Sequence, residues 1–229
     1  MREQRILAPK KIEYAGQYVL RPVEPSDIPQ IELARNASLA DLQVYMDWAH
    51  IPFERSRFLD RILTQLSAYL KGDEYEMAFF DKKTGAFLVH TGFYPTVSMN
   101  PLCFEIGYWT SSEWAGKGFA TLATQIQIAL IFEYFKGDRI EITSNIENKA
   151  SLHVIEKCGF HYEGELRHFF ARGNEEMFSK GYTRERRAFI YSLIPEDITE
   201  LAWYSDIVSQ ITLFPFLGDP IPLTSCVIK

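Results

Sequence analysis

Cysteine is scarce in this chain: Cys103, Cys158 and Cys226 are all it has. An odd, scattered set builds neither a disulfide framework nor a metal site, since each needs thiols at set short intervals. Cys103 falls in a strand-like run and Cys158 at a helix end, so both read as buried reduced thiols. Positive charge is short as well. The 24 Lys and Arg against 30 Asp and Glu leave a formal net charge of −6, which argues against a nucleic-acid-binding surface and suits a cationic or amine-bearing acceptor. No apolar run reaches the length of a signal-peptide core or a membrane span, and the opening Arg2, Glu3, Gln4 and Arg5 are polar. The expected compartment is therefore the cytoplasm, with no membrane partner. Internal repeats and low-complexity tracts are missing too. What remains is a chain of 229 residues, 47% hydrophobic and 24% charged, which suits one α/β domain with extra pieces and a sizeable core.

The most informative stretch runs from Leu102 to Phe160 and reads strand, glycine loop, helix, strand, helix. Cys103 to Thr110 is aromatic and β-branched enough to pair as a strand. An apolar helix follows over about residues 120–135, with Gly137 placed as a left-handed cap. Arg139 to Thr143 is the next strand. Asn148-Lys149-Ala150-Ser151 opens a short helix that Gly159 closes. Between the first strand and the first helix, Gly116 and Gly118 let the backbone curl and take away the side chains that would keep a ligand at a distance. The amides at the helix start then point outward with the positive end of the helix dipole behind them, which makes an anion site for a phosphate or pyrophosphate. Taken alone, Gly-x-Gly fits an ordinary strand-to-helix turn better. Neither well-known phosphate loop fits: Gly118 follows Gly116-Lys117 where a Walker loop needs Ser or Thr, and Thr121 stands where a dinucleotide fingerprint needs a third small residue.

Four motifs in series do fit a pattern. Glu105-Ile106-Gly107-Tyr108-Trp109, Gly116-Lys117-Gly118-Phe119-Ala120-Thr121, Asn148-Lys149-Ala150-Ser151 and Glu156-Lys157-Cys158-Gly159-Phe160, in this order, resemble the RimJ/RimL-type branch of the GNAT N-acetyltransferases. The likeness extends more loosely from Leu20 to Leu193. One position departs: the loop of that superfamily usually begins with Gln or Arg, and here Glu113 stands there. A carboxylate near a pyrophosphate is unhelpful unless it faces away.

The rest of the chain reads in order. The first dozen residues form a basic arm, and Tyr18 to Pro22 an opening strand. Ser26 or Asp27 then caps a helix carrying Ile28, Ile31 and Ala34. Asn36 to Pro52 is ambiguous and strongly apolar. Trp48 there either packs in the core or, as the resemblance implies, helps wall an acceptor site. Helical spacing of Phe58, Leu59, Ile62, Leu63, Leu66, Tyr69 and Leu70 predicts a core-facing helix that stops at Gly72. Tyr75 to Phe80 and Ala86 to Tyr94 form a hairpin, joined to the strand at Cys103 by a loop holding Pro95, Asn100 and Pro101. His161 to Phe170 and Arg187 to Leu193 are further strands, with 171–186 a mobile surface loop between them. Glu196 to Ser209 reads as a helix. Ile211 to Lys229 is apolar but broken by prolines, and packs on its own domain or on a second subunit.

The resemblance implies an α/β GNAT fold, with a mostly antiparallel sheet of about seven strands, its central pair splayed, flanked by about four helices. Residues 1–195 would be the acetyltransferase domain and 196–229 a C-terminal extension. The implied activity is transfer of an acetyl group from acetyl-CoA to a primary amine, foremost the N-terminal amine of a protein or peptide. A small-molecule amine such as an aminoglycoside or polyamine is one alternative, and a non-catalytic CoA-binding partner or regulatory protein another. The expected state is monomer or homodimer. By the same resemblance, the pantetheine arm lies in the splay, a backbone amide among Tyr108, Trp109 and Thr110 faces the thioester oxygen, and the amides of Ala115, Gly116, Lys117, Gly118, Phe119 and Ala120 take the pyrophosphate. The Lys117 side chain either adds charge there or points to water. Asn148 is an N-cap, a contact to the cofactor arm, or both. Ser151 is either a plain first-turn residue or the donor to the departing sulfur, with Tyr162 and Tyr108 as alternative donors. Glu105 is the candidate base, unless water takes the proton or the carboxylate simply pairs with an arginine. None of His50, His90, His153, His161 and His168 pairs with a recognisable nucleophile, and no metal is expected.

Overall fold

The computed structural model describes residues 7–99 and 102–226; Arg2, Glu3, Gln4, Arg5, Asn100 and Pro101 lie outside the described residues. Strand β1 (Lys11–Tyr14) and β2 (Tyr18–Arg21) form a hairpin, followed by helices α1 (Ile28–Ala37), α2 (Leu39–Tyr45) and α3 (Arg55–Lys71). Next come β3 (Tyr75–Asp81), β4 (Phe87–Met99), β5 (Leu102–Thr110), α4 (Phe119–Glu133), β6 (Arg139–Asn145) and α5 (Lys149–Cys158). These are followed by β7 (His161–Leu166), α6 (Glu175–Ser179), β8 (Ala188–Leu193), α7 (Tyr204–Ser209), β9 (Ile211–Phe214) and β10 (Ile221–Pro222). Among the described residues all ten strands join one sheet in the order β10-β9-β1-β2-β3-β4-β5-β6-β8-β7, with only β5 and β6 parallel.

Alternation along β3 and β4 sends Met77, Phe79 and Phe93 to one face of the sheet and Glu76, Ala78 and His90 to the other. The first face packs on α4, whose sequence FATLATQIQIALIFE is apolar on every side and buries nine residues. There Tyr75, Phe93, Phe104 and Phe135 form an aromatic cluster with ring centroids 4.6 to 6.4 Å apart. The second face packs on α1 and α3 through Val23, Ile28, Ile31, Ile62, Ala78 and Phe80.

Several expectations are corrected. The sheet has ten strands rather than about seven, because part of the basic arm is β1 and the apolar tail supplies β9 and β10. Lys11, Ile12, Glu13 and Tyr14 pair antiparallel with Phe214, Leu213, Thr212 and Ile211. Pro95 lies within β4, where pairing with β5 is interrupted between Pro95 and Met99. The left-handed residue after α4 is Lys136 (φ 54°), not Gly137. Space is what Gly137 provides: a Cβ there would come within 2.6 Å of Ile131 and 3.1 Å of Phe104. Strand β7 stops at Leu166, before a turn in which His168 is left-handed. The segment 171–186 carries α6, capped by Asn174, and the Thr183 amide donates to the Val44 carbonyl at 2.9 Å. In place of one helix over 196–209 there are a 3-10 turn at Pro195–Glu200 and the separate α7. No helix among the described residues is long and apolar enough to cross a membrane.

Candidate active site

Strands β5 and β6 run side by side only briefly. Cys103, Phe104 and Glu105 pair with Arg139, Ile140 and Glu141, and there the pairing ends. Beyond that point β5 stays with β4 as far as Thr110, while β6 stays with β8 as far as Asn145. The strands part, and the β6-facing backbone of Ile106 to Thr110 has no strand beside it among the described residues. Into the gap opens a cleft of about 430 Å³, walled by Ile106 to Trp109 on one side and Ile142 to Asn145 on the other.

At the end of β5 a turn leads into α4. Gly116 (φ 74°) and Gly118 (φ 85°) are both left-handed, and the space a Cβ would enter at either is open. Two of the loop amides turn inward: Ala115 donates to the Ser112 carbonyl at 3.3 Å and Lys117 to that of Trp114 at 3.4 Å. The amides of Gly116, Gly118, Phe119 and Ala120 meet no backbone carbonyl among the described residues, and no side chain caps α4. Four donors therefore point outward at the positive end of a fifteen-residue helix. The Lys117 ammonium lies over the Trp114 ring, 4.4 Å from its centre. Glu113 is exposed. Ser112 anchors the loop to the α1–α2 junction, its amide donating to Ser38 Oγ at 2.8 Å and its hydroxyl to Asp41 at 2.6 Å.

Across the gap, α5 begins conventionally. The Asn148 side-chain oxygen accepts the Ser151 amide at 3.1 Å, the N-cap geometry. Ser151 Oγ lies 3.0 Å from the Tyr108 hydroxyl, which also donates to the Ser151 carbonyl at 3.3 Å. Burial holds the Tyr108 phenol far above its usual range, so it stays protonated. Tyr108, Asn148 and Ser151 all line the cleft, as does Trp109. Tyr162 does not. It is 56% exposed on the edge strand β7, beside the rings of Phe189 and Tyr191, with β8 between it and β6.

The cleft floor holds a cluster that the sequence reading passed over. Glu76, buried, sits with its carboxylate 3.4 Å from His90 Nδ1 and 3.5 Å from the Arg61 guanidinium, and accepts from the Tyr94 hydroxyl. The His90 imidazole is stacked on Trp109, and burial lowers its pKa against the pull of Glu76, which keeps it neutral. Register was the available signal: Glu76, His90 and Tyr94 occupy alternate positions of one hairpin, and Trp109 pairs with His90. Glu105 does not itself line the cleft. It lies opposite Tyr94 and Glu141, and burial and the Glu141 charge push its pKa up against a hydrogen bond from Thr143. Trp48 lines the cleft and meets Trp109 at 6.0 Å, so its ring belongs to the wall rather than to the central core. No group of three or more His, Cys, Asp or Glu able to hold a metal occurs among the described residues.

A model of the acetyltransferase (GNAT) domain matches residues 17–161. The chain belongs to the GNAT family. Among curated GNAT relatives, the putative ribosomal N-acetyltransferase YdaF of Bacillus subtilis is 40% identical over 63 residues, 28% of this chain and 34% of that protein. The spermidine N(1)-acetyltransferase of Escherichia coli K12 is 29% identical over 163 residues, 67% of this chain and 78% of that protein. The match thus spans about a third of the first relative and more than three quarters of the second. Among solved structures, Mycobacterium smegmatis RimJ in complex with a CoA disulfide superposes with a TM-score of 0.70 at 22% identity, covering 82% of this chain and 89% of that one, which establishes a shared GNAT fold. The parted strands and the unpaired glycine loop suit a CoA-type ligand: a narrow gap for an extended arm, then donors for a pyrophosphate.

Proposed function

We propose that this chain transfers an acetyl group from acetyl-CoA to a primary amine, the N-terminal amine of a protein or peptide. Acetyl-CoA supplies the acetyl group as a thioester. The free amides of Gly116, Gly118, Phe119 and Ala120 hold its pyrophosphate. The open backbone edge from Tyr108 to Thr110 takes the pantetheine arm, with Asn148 on the opposite wall. Tyr108 keeps the Ser151 hydroxyl positioned to donate toward the departing sulfur, where negative charge develops. His90 accepts the proton of the amine, and the Glu76 carboxylate behind it stabilises the imidazolium that forms. In this reading Glu105 shapes the floor from behind and Tyr162 takes no part. Free thiols at Cys103, Cys158 and Cys226 suit a reducing compartment, in keeping with the cytoplasm.

The observation that carries the reading is the parting of β5 and β6 directly before four unpaired amides. We expect CoA and acetyl-CoA to raise the unfolding temperature far more than ATP or NAD does. Thiol release from acetyl-CoA should then depend on an added peptide amine. Equal or absent shifts with all four ligands would sink the proposal, whereas a CoA shift without thiol release for any amine would mark a non-catalytic CoA-binding protein.

A further inference from the structure

Charge in the cleft is almost fully matched. Glu76 faces Arg61 at 3.5 Å and His90 at 3.4 Å, and Glu54 at the rim faces Arg57 at 3.8 Å. Arg35, on α1, is the charge left over. It is 7% exposed and lines the cleft. Among the described residues only its Nη2 is engaged, donating to the carbonyls of Ala49 at 3.2 Å and Ile51 at 2.6 Å, while the Phe53 ring stands 5.6 Å from the guanidinium carbon. No carboxylate lies within ion-pair distance of it among the described residues. A guanidinium has five N–H donors and keeps its charge at any pH of interest. Burying it without an anion is costly, and that cost is recovered when a carboxylate accepts from a donor still free on Nη1 or Nε.

The walls around it are aromatic: Trp48, Phe53, Phe58 and Trp109. A polyamine entering here would bring further positive charge and would meet no carboxylate that lacks a partner. We propose that Arg35 anchors a carboxylate of the acceptor, so that the cleft selects N-terminal amines followed closely by an acidic side chain. This rests on the reading of the cleft as the acceptor site and adds the substrate class. An amide in place of that carboxylate would leave the guanidinium unmatched, and a site of this kind discriminates strongly between the two.

The test uses the full chain with acetyl-CoA and three peptides identical except for Asp, Asn or Lys at the second position, with spermidine as a fourth acceptor. The expected order of kcat/KM is Asp above Asn by at least about tenfold, with Lys and spermidine lowest. Arg35→Gln should bring Asp and Asn together while CoA affinity stays unchanged. Because Arg35 also holds the Ala49 and Ile51 carbonyls, Arg35→Lys is the companion variant: it keeps the charge without the planar fork and should retain part of the preference. The comparison of peptides on the unaltered protein needs neither variant. In parallel, the same peptides are titrated against the CoA complex by calorimetry. Equal use and equal binding of the Asp and Asn peptides overturns the role of Arg35 and leaves acetyl transfer standing. Tighter binding of the Asp peptide with no thiol release from any acceptor does the reverse. Preference for spermidine, or no peptide binding at all, overturns the inference.

Discussion

Two helices begin at the mouth of the same gap, and they begin differently. Helix α5 is capped at its start: the Asn148 side chain accepts the Ser151 amide, and the Lys149 amide donates to the Glu147 carbonyl. Helix α4 starts from a left-handed glycine with its first amides unpartnered. Each solution suits what that end presents. The satisfied end offers a side chain, the Ser151 hydroxyl, held in place by Tyr108. The unsatisfied end offers its own backbone, which binds an anion only as long as no internal group competes for it. Capping α4 would make it a more stable helix and a poorer binding site.

The sharpest way to break that contrast is to fill the open end. Gly118→Val puts a β-branched side chain at a left-handed position and into the space the loop leaves clear. We predict a loss of CoA affinity of about a hundredfold, or ~2.7 kcal/mol, by titration calorimetry. Unchanged affinity would place the anion elsewhere. Second, Ser151→Ala should lower kcat by about tenfold and leave the KM for acetyl-CoA and the stability close to normal, the pattern of an interaction made in the transition state. Full turnover in this variant would remove Ser151 from the chemistry. Third, Asn148→Ala should cost ~1 kcal/mol of stability in denaturant unfolding, with Asn148→Asp nearly neutral, because the loss is that of a cap. The smallest effect concerns the floor. Burial lowers the pKa of His90, so the acid limb of activity due to it should lie below about pH 6.5, the ordinary imidazole value. Since the Glu76 charge opposes that shift, Glu76→Gln should move the limb lower still. A limb that stays in place would argue for another base. The sign for stability is the same: with the folded pKa depressed, the unfolded chain takes up the proton first, and stability contributed by neutral His90 is lost as pH falls below the unfolded value.

The parts that were legible in the sequence are those governed by local rules. The helical spacing in α3, the uninterrupted apolar run of α4, the Asn148 cap and the paired glycines each act within a few residues. What escaped needed partners far along the chain. Strand β1 is four residues long, too short for alternation to speak, and only one of its edges is paired locally, with β2; the other is paired with the distant Ile211 to Phe214. Likewise His90 looks unremarkable until register sets it between Glu76 and Trp109. Net charge pointed to a cationic acceptor, whereas the cleft itself holds an unmatched arginine. A sum over 229 residues carries little information about a handful of cleft residues.

The pairing of β1 with β9 has a consequence for how the molecule is made. Emerging from the ribosome, Lys11–Tyr14 finds β2 at once through the short turn at Ala15–Gly16–Gln17, but its outer edge stays unpartnered until Ile211–Phe214 has been synthesised. Closing a loop that spans every element between β1 and β9 comes late, since its entropy must be offset by contacts already in place. Nascent or truncated chains therefore carry a bare strand edge, the kind of edge that recruits strands from neighbouring molecules. This late segment acts as a latch on the sheet, fastened only after the strands from β1 to β8 have been made.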